Sequence, residues 1–338
     1  MKKGRKAAVS GLLVLSLALA AGCGNGKTAD KAEQGGKKLT DIKVVLDWTP
    51  NTNHTGLYVA KEKGYYEQEG LNVQIIEPGA GGADQMVASG EVPFGVSYQE
   101  GLTYARTQGV PLVALAAVIQ HNTSGLASPV AKNIKSPKDF EGKIYGGYGG
   151  PSEEAVVRSL TELDGGDPDK VKIVNIGEAD YFTAVKKDVD FSWIYYAWTG
   201  VEAELRNEPL NMIYINQFSD KLDYYTPLIV TNEKMIANQP DIVKAFMAGT
   251  SKGYEYSIDH PDEAADILIK AAPDLDAALV KASQKWLSPR YKDDAAQWGL
   301  MKQEVFEGYT DWMMEHKLLE TKPDMSKAFT DKFLPGQE

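Results

Sequence analysis

Short apolar runs that alternate with helix-like segments constrain the fold of this chain more than any other feature of its sequence. The first apolar run covers Ile42 to Leu46, a helix-like segment follows from Gly56 to Lys63, and a second apolar run covers Val73 to Ile76. Strand-length apolar runs separated by helical segments indicate βαβ units and a largely parallel sheet. We therefore expect an α/β protein.

The same alternation starts again after residue 135, which predicts a second α/β unit. Further strands are predicted at 94–96, 112–118, 143–145, 172–176, 189–195, 212–215 and 227–230, and further helices at 83–89, 102–107, 152–163, 241–254, 261–271, 276–286 and 303–316. The sequence thus predicts two lobes, the second inserted in the first. We place lobe I at 41–130 and 226–338 and lobe II at 131–225, with crossovers near 125–135 and 218–227.

The N-terminal segment has the layout of a bacterial export signal. Four basic residues precede an apolar stretch at 11–21, and small residues lead to Cys23. This layout predicts a signal peptide at 1–22. A cysteine directly after the small residues resembles a lipidation site, and an ordinary secretory signal with a chance cysteine is the alternative. We expect Cys23 to be lipidated, 23–40 to contain a disordered tether, and the protein to lie on the extracytoplasmic face of the cell membrane.

Composition excludes several classes of function. The formal net charge of −11 argues against nucleic acid or anionic lipid as a partner. Cys23 is the single cysteine, so a lipidated chain has none left for disulfides, thiolate metal sites or nucleophilic catalysis. The four histidines are scattered along the chain, and no nucleophile-plus-base arrangement stands out. We predict no catalytic residues, no metal site and no cofactor.

Four aromatic-rich segments lie where predicted strands end, at 47–58, 96–100, 146–153 and 193–198. In open α/β sheets, ligands bind outside the carboxyl ends of the strands. Aromatic rings facing one another across a cleft can sandwich a flat ligand while carboxylates and amides bind its edge. The candidate ligand-binding side chains are Asp47, Trp48, Asn51, His54, Tyr98, Tyr195 and Trp198. In the alternative interpretation, several of the rings belong to the core, Asp47 is a helix cap and His54 only lines the loop.

The glycine-rich turn at 146–150 resembles a phosphate cradle, since consecutive backbone N–H groups and a helix start can hold an anion. Two carboxylates, Glu153 and Glu154, would lie in the first turn of the following helix and repel a phosphate. A neutral or amine-bearing arm of a ligand suits this turn better.

The segment 47–58, with the motif Asp-Trp-x-Pro-x-x-x-His-x-Gly-x-Tyr, resembles the ABC-transporter substrate-binding proteins related to the eukaryotic thiamine-pyrimidine synthase. The resemblance extends from residue 42 to about 260 and includes 147–150 and 223–227. Within this family it is greatest to the lipoproteins that capture N-formyl-4-amino-5-aminomethyl-2-methylpyrimidine for thiamin salvage. It implies a two-lobed periplasmic-binding-protein fold of type II, with an aminopyrimidine ligand in the cleft. It also implies a monomer that works with an ABC permease and ATPase.

The same resemblance implies roles for particular residues. Asp47 and Trp48 would engage the edge and face of the pyrimidine, and Gly149 would face the side arm of the ligand. The candidates for the opposite wall are Tyr195, Trp198 and Tyr225.

Two alternatives to this function remain open. The related pyrimidine synthase holds pyridoxal phosphate on a lysine in the opening loop and uses a cysteine cluster, but 48–58 contains no lysine and 221–225 no cysteine. Binding proteins for sulfonates or nitrate are the other alternative. Such anions favour a basic or donor-rich pocket, and the four aromatic-rich segments contain no lysine or arginine.

Overall fold

The computed structural model describes residues 38–79, 82–177 and 179–337. The predicted signal peptide and Cys23 lie outside these residues. Of the predicted tether, only the last three residues are described, and the first strand already begins at Thr40.

Two five-stranded sheets carry the fold. The first has the strand order β2-β1-β3-β10-β4 and the second the order β7-β6-β8-β5-β9. The strands are β1 (Thr40–Val45), β2 (Leu71–Ile76), β3 (Phe94–Ser97), β4 (Leu112–Ala117), β5 (Ser124–Pro129), β6 (Ile144–Gly147), β7 (Lys172–Asn175), β8 (Phe191–Tyr195), β9 (Leu210–Tyr214) and β10 (Leu228–Asn232). The predicted two-lobed α/β fold is confirmed.

Each sheet is mixed, although the sequence predicts largely parallel pairing. In the first sheet β1 pairs in parallel with β2 and β3, whereas β10 is antiparallel to both β3 and β4. In the second sheet β6 pairs in parallel with β7 and β8, whereas β5 is antiparallel to β8 and β9. In each sheet, the antiparallel strand is therefore the first strand that the chain forms after it has crossed from the other sheet.

The crossovers fall at 118–123, between β4 and β5, and at 215–227, between β9 and β10. The sequence analysis places the second near 218–227. The first lies before the predicted 125–135, because β5 is a strand that the sequence analysis did not identify. Strand β5 thus pairs in the second sheet, although its residues 124–129 lie within the range 41–130 predicted for lobe I.

The helices pack around both sheets. They are α1 (Thr55–Glu62), α2 (Tyr65–Gln68), α3 (Gly82–Ser89), α4 (Gln99–Thr107), α5 (Pro151–Leu163), α6 (Tyr181–Val185), α7 (Val201–Leu205), α8 (Glu233–Asn238), α9 (Pro240–Asp259), α10 (Pro261–Ala271), α11 (Ala277–Leu287) and α12 (Gln303–Glu315). Helix α12 lies in the chain segment assigned to lobe I. Its residues Tyr309, Trp312 and Met313 nevertheless belong to the apolar cluster beside the second sheet.

Burial explains why these segments form regular structure. All six residues of β4 are buried, as expected for an apolar run packed on both faces. Helix α5 begins with Pro151 at its first position, and its first turn carries Glu153 and Glu154, where carboxylates favour the helix dipole. Among the described residues, no helix is both long and apolar enough to cross a membrane.

Candidate functional site

The loop after β1 holds a buried histidine beneath an aspartate. The backbone N–H of Asn51 donates to Nδ1 of His54 over 3.2 Å, so the ring proton lies on Nε2. Nε2 then donates to Oδ1 of Asp47 over 2.7 Å. His54 is fully buried, whereas the Asp47 side chain is 22% exposed. His54 therefore orients Asp47 and does not itself reach the surface.

Four exposed aromatic side chains follow strand ends in both sheets. Trp48 is 47% exposed, Tyr98 44%, Tyr148 54% and Tyr195 44%, and they are the aromatic members of the exposed large hydrophobic residues in the described chain. Trp48 and Tyr98 follow β1 and β3 of the first sheet, Tyr148 follows β6, and Tyr195 ends β8 of the second. Exposed aromatic rings gathered at strand ends indicate a binding surface rather than a core.

Charges of both sheets act on the tyrosines at these strand ends, so the strand ends lie near one another, and we call the space between them the cleft. The pKa of Tyr98 is raised by burial and then by the charges of Asp84, Glu100 and Asp47, with a smaller effect of Tyr148 from the second sheet. The pKa of Tyr195 is likewise raised by burial, by Glu100 and by Asp47, although a hydrogen bond with Thr226 lowers it. Residues of both sheets thus share one acidic, aromatic environment.

Two carboxyl groups, on helices α3 and α4 beside the first sheet, lie in this environment without a lysine or arginine to offset their charge. Burial raises the pKa of Asp84, a hydrogen bond with Ser97 lowers it, and the charge of Asp47 raises it again. Burial also raises the pKa of Glu100 to about 7, against a hydrogen bond from Tyr224 that lowers it, and the charge of Glu153 raises it further. Among the described groups that affect either carboxyl, none is a cation.

In the glycine-rich turn of the second lobe, the side chain of Glu153 accepts hydrogen bonds from the backbone. The backbone N–H groups of Tyr148 and Gly150 donate to the two carboxylate oxygens of Glu153 over 3.2 and 3.0 Å. The hydroxyl of Tyr145 donates to the same carboxylate over 2.9 Å. Two of the backbone donors that could hold a phosphate are therefore already bonded to a carboxylate. Gly149 lies in this turn at a φ of 87°, where a side chain would be strained and would meet Asn175.

Several predicted site residues have other positions. The side chain of Asn51 caps the short helical turn at 52–54, since its Oδ1 accepts from the N–H of Asn53 and its Nδ2 donates to the carbonyl of Thr49. Trp198 is half-buried and packs on an apolar cluster of helices α10 and α11. Tyr225 is only 2% exposed, and its hydroxyl accepts from the N–H of Lys302, so its ring belongs to the core.

The structure also adds cleft residues that the prediction did not include. Asp84, Glu100, Tyr148 and Glu153 all act on the tyrosines of the cleft or on one another. Glu100, Tyr148 and Glu153 lie within the aromatic-rich segments, where Tyr98 and Gly149 were preferred to them. Asp84 lies on α3, and no signal in the sequence distinguishes it from a surface acid. No group of residues that could hold a metal ion is found in the described part of the chain.

Comparison with known proteins gives the family. The sequence matches the family described as NMT1/THI5 like over residues 51–264, which is more than half of the chain. The chain belongs to the NMT1/THI5-like family. The matched region contains the helix of the opening loop, the glycine-rich turn and most of both sheets.

Relatives of this chain differ in what their names describe. A formylaminopyrimidine-binding protein of Halalkalibacterium halodurans is 27% identical, over 94% of this chain and 96% of that protein. A 4-amino-5-hydroxymethyl-2-methylpyrimidine phosphate synthase of Legionella pneumophila is 26% identical, over 87% of this chain and 92% of that protein. Of these two relatives, one is thus named as a binding protein and the other as an enzyme.

Solved structures support the fold. The periplasmic aliphatic sulphonate binding protein SsuA of Escherichia coli superimposes with a TM-score of 0.68 at 15% identity, covering 85% of this chain and 91% of that one. The two-lobed architecture is therefore that of the periplasmic binding proteins.

Proposed function

We propose that this protein is the substrate-binding component of an ABC importer that captures N-formyl-4-amino-5-aminomethyl-2-methylpyrimidine for thiamin salvage. The observation that carries the proposal is the cleft itself, in which exposed aromatic rings from both sheets surround carboxyl groups. Such a cleft suits a flat heterocycle that donates hydrogen bonds from its edge. The relative named as a formylaminopyrimidine-binding protein, matched over nearly its whole length, supports the same ligand.

In this proposal Trp48 stacks on the pyrimidine, and Asp47, held by His54, accepts from the exocyclic amine. Tyr98, Tyr148 and Tyr195 complete the aromatic walls, and the two lobes close on the ligand. A lipidated Cys23 would hold the protein at the outer face of the membrane beside its permease and ATPase.

The two alternatives fit the cleft less well. A pyridoxal-dependent synthase needs a lysine for the aldehyde and free donors for the phosphate. The opening loop 47–58 contains no lysine, and two N–H groups of the glycine-rich turn, those of Tyr148 and Gly150, are bonded to Glu153. A sulfonate or nitrate would meet Asp47, Asp84 and Glu100 with no described cation acting on the latter two. Burying an anion beside unpaired carboxylates is unfavourable.

A ligand screen tests the proposal. Thermal unfolding of the purified protein would be followed with the formylaminopyrimidine, thiamine, pyridoxal phosphate, taurine and nitrate. A ligand at 100 times its Kd stabilises the folded state by about 2.7 kcal/mol, which gives a clear rise in Tm. We expect a rise with the formylaminopyrimidine. A rise with taurine or nitrate alone would overturn the ligand, and a new visible absorption band with pyridoxal phosphate would favour the synthase.

Replacing Trp48 by alanine tests the stacking surface. Because the indole is 47% exposed, its loss should change the free energy of unfolding little. We expect the Kd for the formylaminopyrimidine to rise by at least about 30-fold, the scale of a central aromatic contact. Calorimetric titration measures the change, and Leu163→Ala, at a 60% exposed position on α5, is the control. An unchanged Kd for Trp48→Ala would remove Trp48 from the site.

A further inference from the structure

Glu100 lies among tyrosines beside the cleft. Its carboxylate accepts from the hydroxyl of Tyr224 over 2.7 Å, and the ring of Tyr224 lies 4.2 Å from that of Tyr309. Beyond the effect of burial, the charge of Glu100 raises the pKa of Tyr104, Tyr195 and Tyr309, so all three lie near it. We call Glu100 and these four tyrosines the Glu100 recess.

Two hydroxyls of this recess lack a partner. Tyr309 is 1% exposed, and its buried hydroxyl makes no hydrogen bond with any described residue. The buried hydroxyl of Tyr104 likewise makes no hydrogen bond with any described residue. Buried hydroxyls in native proteins are nearly always hydrogen-bonded, and leaving one unpaired is unfavourable. These hydroxyls make no hydrogen bond within the described fold, so a ligand could supply their missing partner.

Charge indicates what the recess would bind. No cation among the described residues acts on Glu100, whereas Glu153 of the opposite lobe adds a further negative charge. A carboxylate surrounded by aromatic rings is a suitable partner for an ammonium group, which can pair with the charge and lie against the ring faces. The hydroxyl oxygens of Tyr104 and Tyr309 can accept further hydrogen bonds.

We propose that the Glu100 recess binds an ammonium group, and that the protein therefore also captures the free amine, 4-amino-5-aminomethyl-2-methylpyrimidine. The inference rests on the proposed function, since Asp47 and Trp48 hold the ring of either form. The formylated pyrimidine carries no charge on its arm and needs Glu100 only as a hydrogen-bond acceptor. Glu100 thus determines the affinity for the charged form.

The test compares both pyrimidines on matched variants by calorimetric titration. Glu100→Gln keeps the shape of the side chain and removes its charge, so the Kd for the free amine should rise about tenfold or more. The Kd for the formylated form should change less than about threefold. The control is Glu91→Gln, which removes the same charge at an exposed position before β3, at the opposite end of that strand from the cleft.

Tyr309→Phe tests the unpartnered hydroxyl. If the hydroxyl only filled space, its removal would leave both Kd values unchanged. We expect a rise in the Kd for the free amine by about threefold or more, without a fall in Tm, because the hydroxyl has no described partner to lose. An unchanged Kd in this variant would overturn the role of the tyrosines.

The pH dependence gives a second readout. Several titratable groups face Glu100. In the first lobe they are Tyr98, just before α4, and Tyr104, within α4. The others are Glu153 of α5, Tyr195 of β8, Tyr224 of the second crossover and Tyr309 of α12. Burial raises the pKa of every one of these tyrosines, so none of them titrates near neutrality. With a Glu100 pKa of about 7, affinity for the free amine should rise about tenfold between about pH 6 and pH 8.

The formylated form contains the same pyrimidine ring, so the pH dependence of its binding controls for titration of the ring. Glu100→Gln should abolish the rise with pH. Binding of the formylated form alone, or equal losses for both forms in Glu100→Gln, would overturn the recess but leave the proposed function. Binding of neither form by the unaltered protein would overturn the proposed function and this inference with it.

Discussion

Asp47 has a fixed orientation because His54 donates to one of its oxygens over 2.7 Å. The imidazole is itself fixed by the backbone N–H of Asn51, so one chain of hydrogen bonds runs from the loop backbone to the carboxylate. A group that is already ordered loses less conformational freedom when a ligand binds. The seven-residue spacing between Asp47 and His54 could be read from the sequence. The burial of the histidine could not, because packing with distant residues determines it.

Glu100 should make the empty protein less stable as pH rises. Its folded pKa of about 7 lies above the ordinary value of 4.5, so its contribution to stability is complete below pH 4.5 and is lost as pH rises through 7. The loss amounts to up to about 3 kcal/mol. We expect Glu100→Gln to be more stable than the unaltered protein at about pH 8, and the difference to shrink at about pH 5. Urea unfolding at both pH values measures this, and a difference independent of pH would contradict it.

At the scale of elements, helices α1 and α9 pack closely because glycines, Gly56 and Gly253, lie where they meet. A Cβ on Gly253 would lie 2.0 Å from the carbonyl oxygen of Gly56, a backbone atom that cannot rotate away. Gly253→Ala should therefore lower the free energy of unfolding by about 2 kcal/mol or more.

Gly308, inside α12, provides the matched control, since its nearest neighbour is the Lys221 side chain at 4.0 Å. Gly308→Ala should raise the free energy of unfolding by about 0.5–1 kcal/mol through helix propensity. Urea unfolding measures the change in the free energy of unfolding for both variants. Equal effects would show that propensity, and not the contact between the helices, dominates at Gly253.

The elements that the sequence predicts correctly are those with strong local patterns. The fully buried β4 and the amphipathic α5 and α10 are examples. Strand β5 has the sequence Ser-Gly-Leu-Ala-Ser-Pro, which contains no β-branched residue, and it forms because β8 and β9 flank it on both sides. Its antiparallel direction depends on where the chain crosses between sheets, and no local pattern specifies that point.

The candidate site could be predicted in part for a similar reason. Trp48, Tyr98 and Tyr195 lie at the ends of strands whose apolar runs are evident, so their place at the cleft follows from the α/β pattern. Tyr225 also follows an identifiable crossover, yet its ring turns into the core beside Phe306. The direction of a side chain in an irregular segment depends on tertiary packing.

At the scale of the whole molecule, the two crossovers are joined by one aspartate. Asp223 of the second crossover accepts from the backbone N–H of Asn122 in the first over 2.8 Å and from Asn216 over 3.1 Å. Its other oxygen lies 2.6 Å from Nδ1 of His121, whose Nε2 lies 3.3 Å from Asp294. A movement of one sheet against the other would bend the chain near these bonds, because among the described residues the strands of the two sheets are connected only at these segments.

The His121 contacts make this junction sensitive to pH. Burial lowers the pKa of His121, but the hydrogen bonds and charges of Asp223 and Asp294 together outweigh it, so the pKa lies above 6.5. The stabilising contribution is therefore complete below pH 6.5 and is lost as pH rises through the folded pKa. His121→Asn should lower the free energy of unfolding more at about pH 5.5 than at about pH 8.5. The difference should be at most about 1 kcal/mol, since the side chain is 41% exposed.

His316 supplies a control of opposite sign, because burial lowers its pKa below 6.5. The folded protein then favours the neutral ring, and His316→Asn should lower the free energy of unfolding less at about pH 5.5 than at about pH 8.5. Urea unfolding of both variants at the two pH values gives the comparison. If His121→Asn followed the same trend as His316→Asn, the two aspartates would not be holding the charged imidazole. The junction between the crossovers would then depend on its other hydrogen bonds, those of Asp223 with Asn122 and Asn216 and those of Asn122 with Leu222 and Asn216.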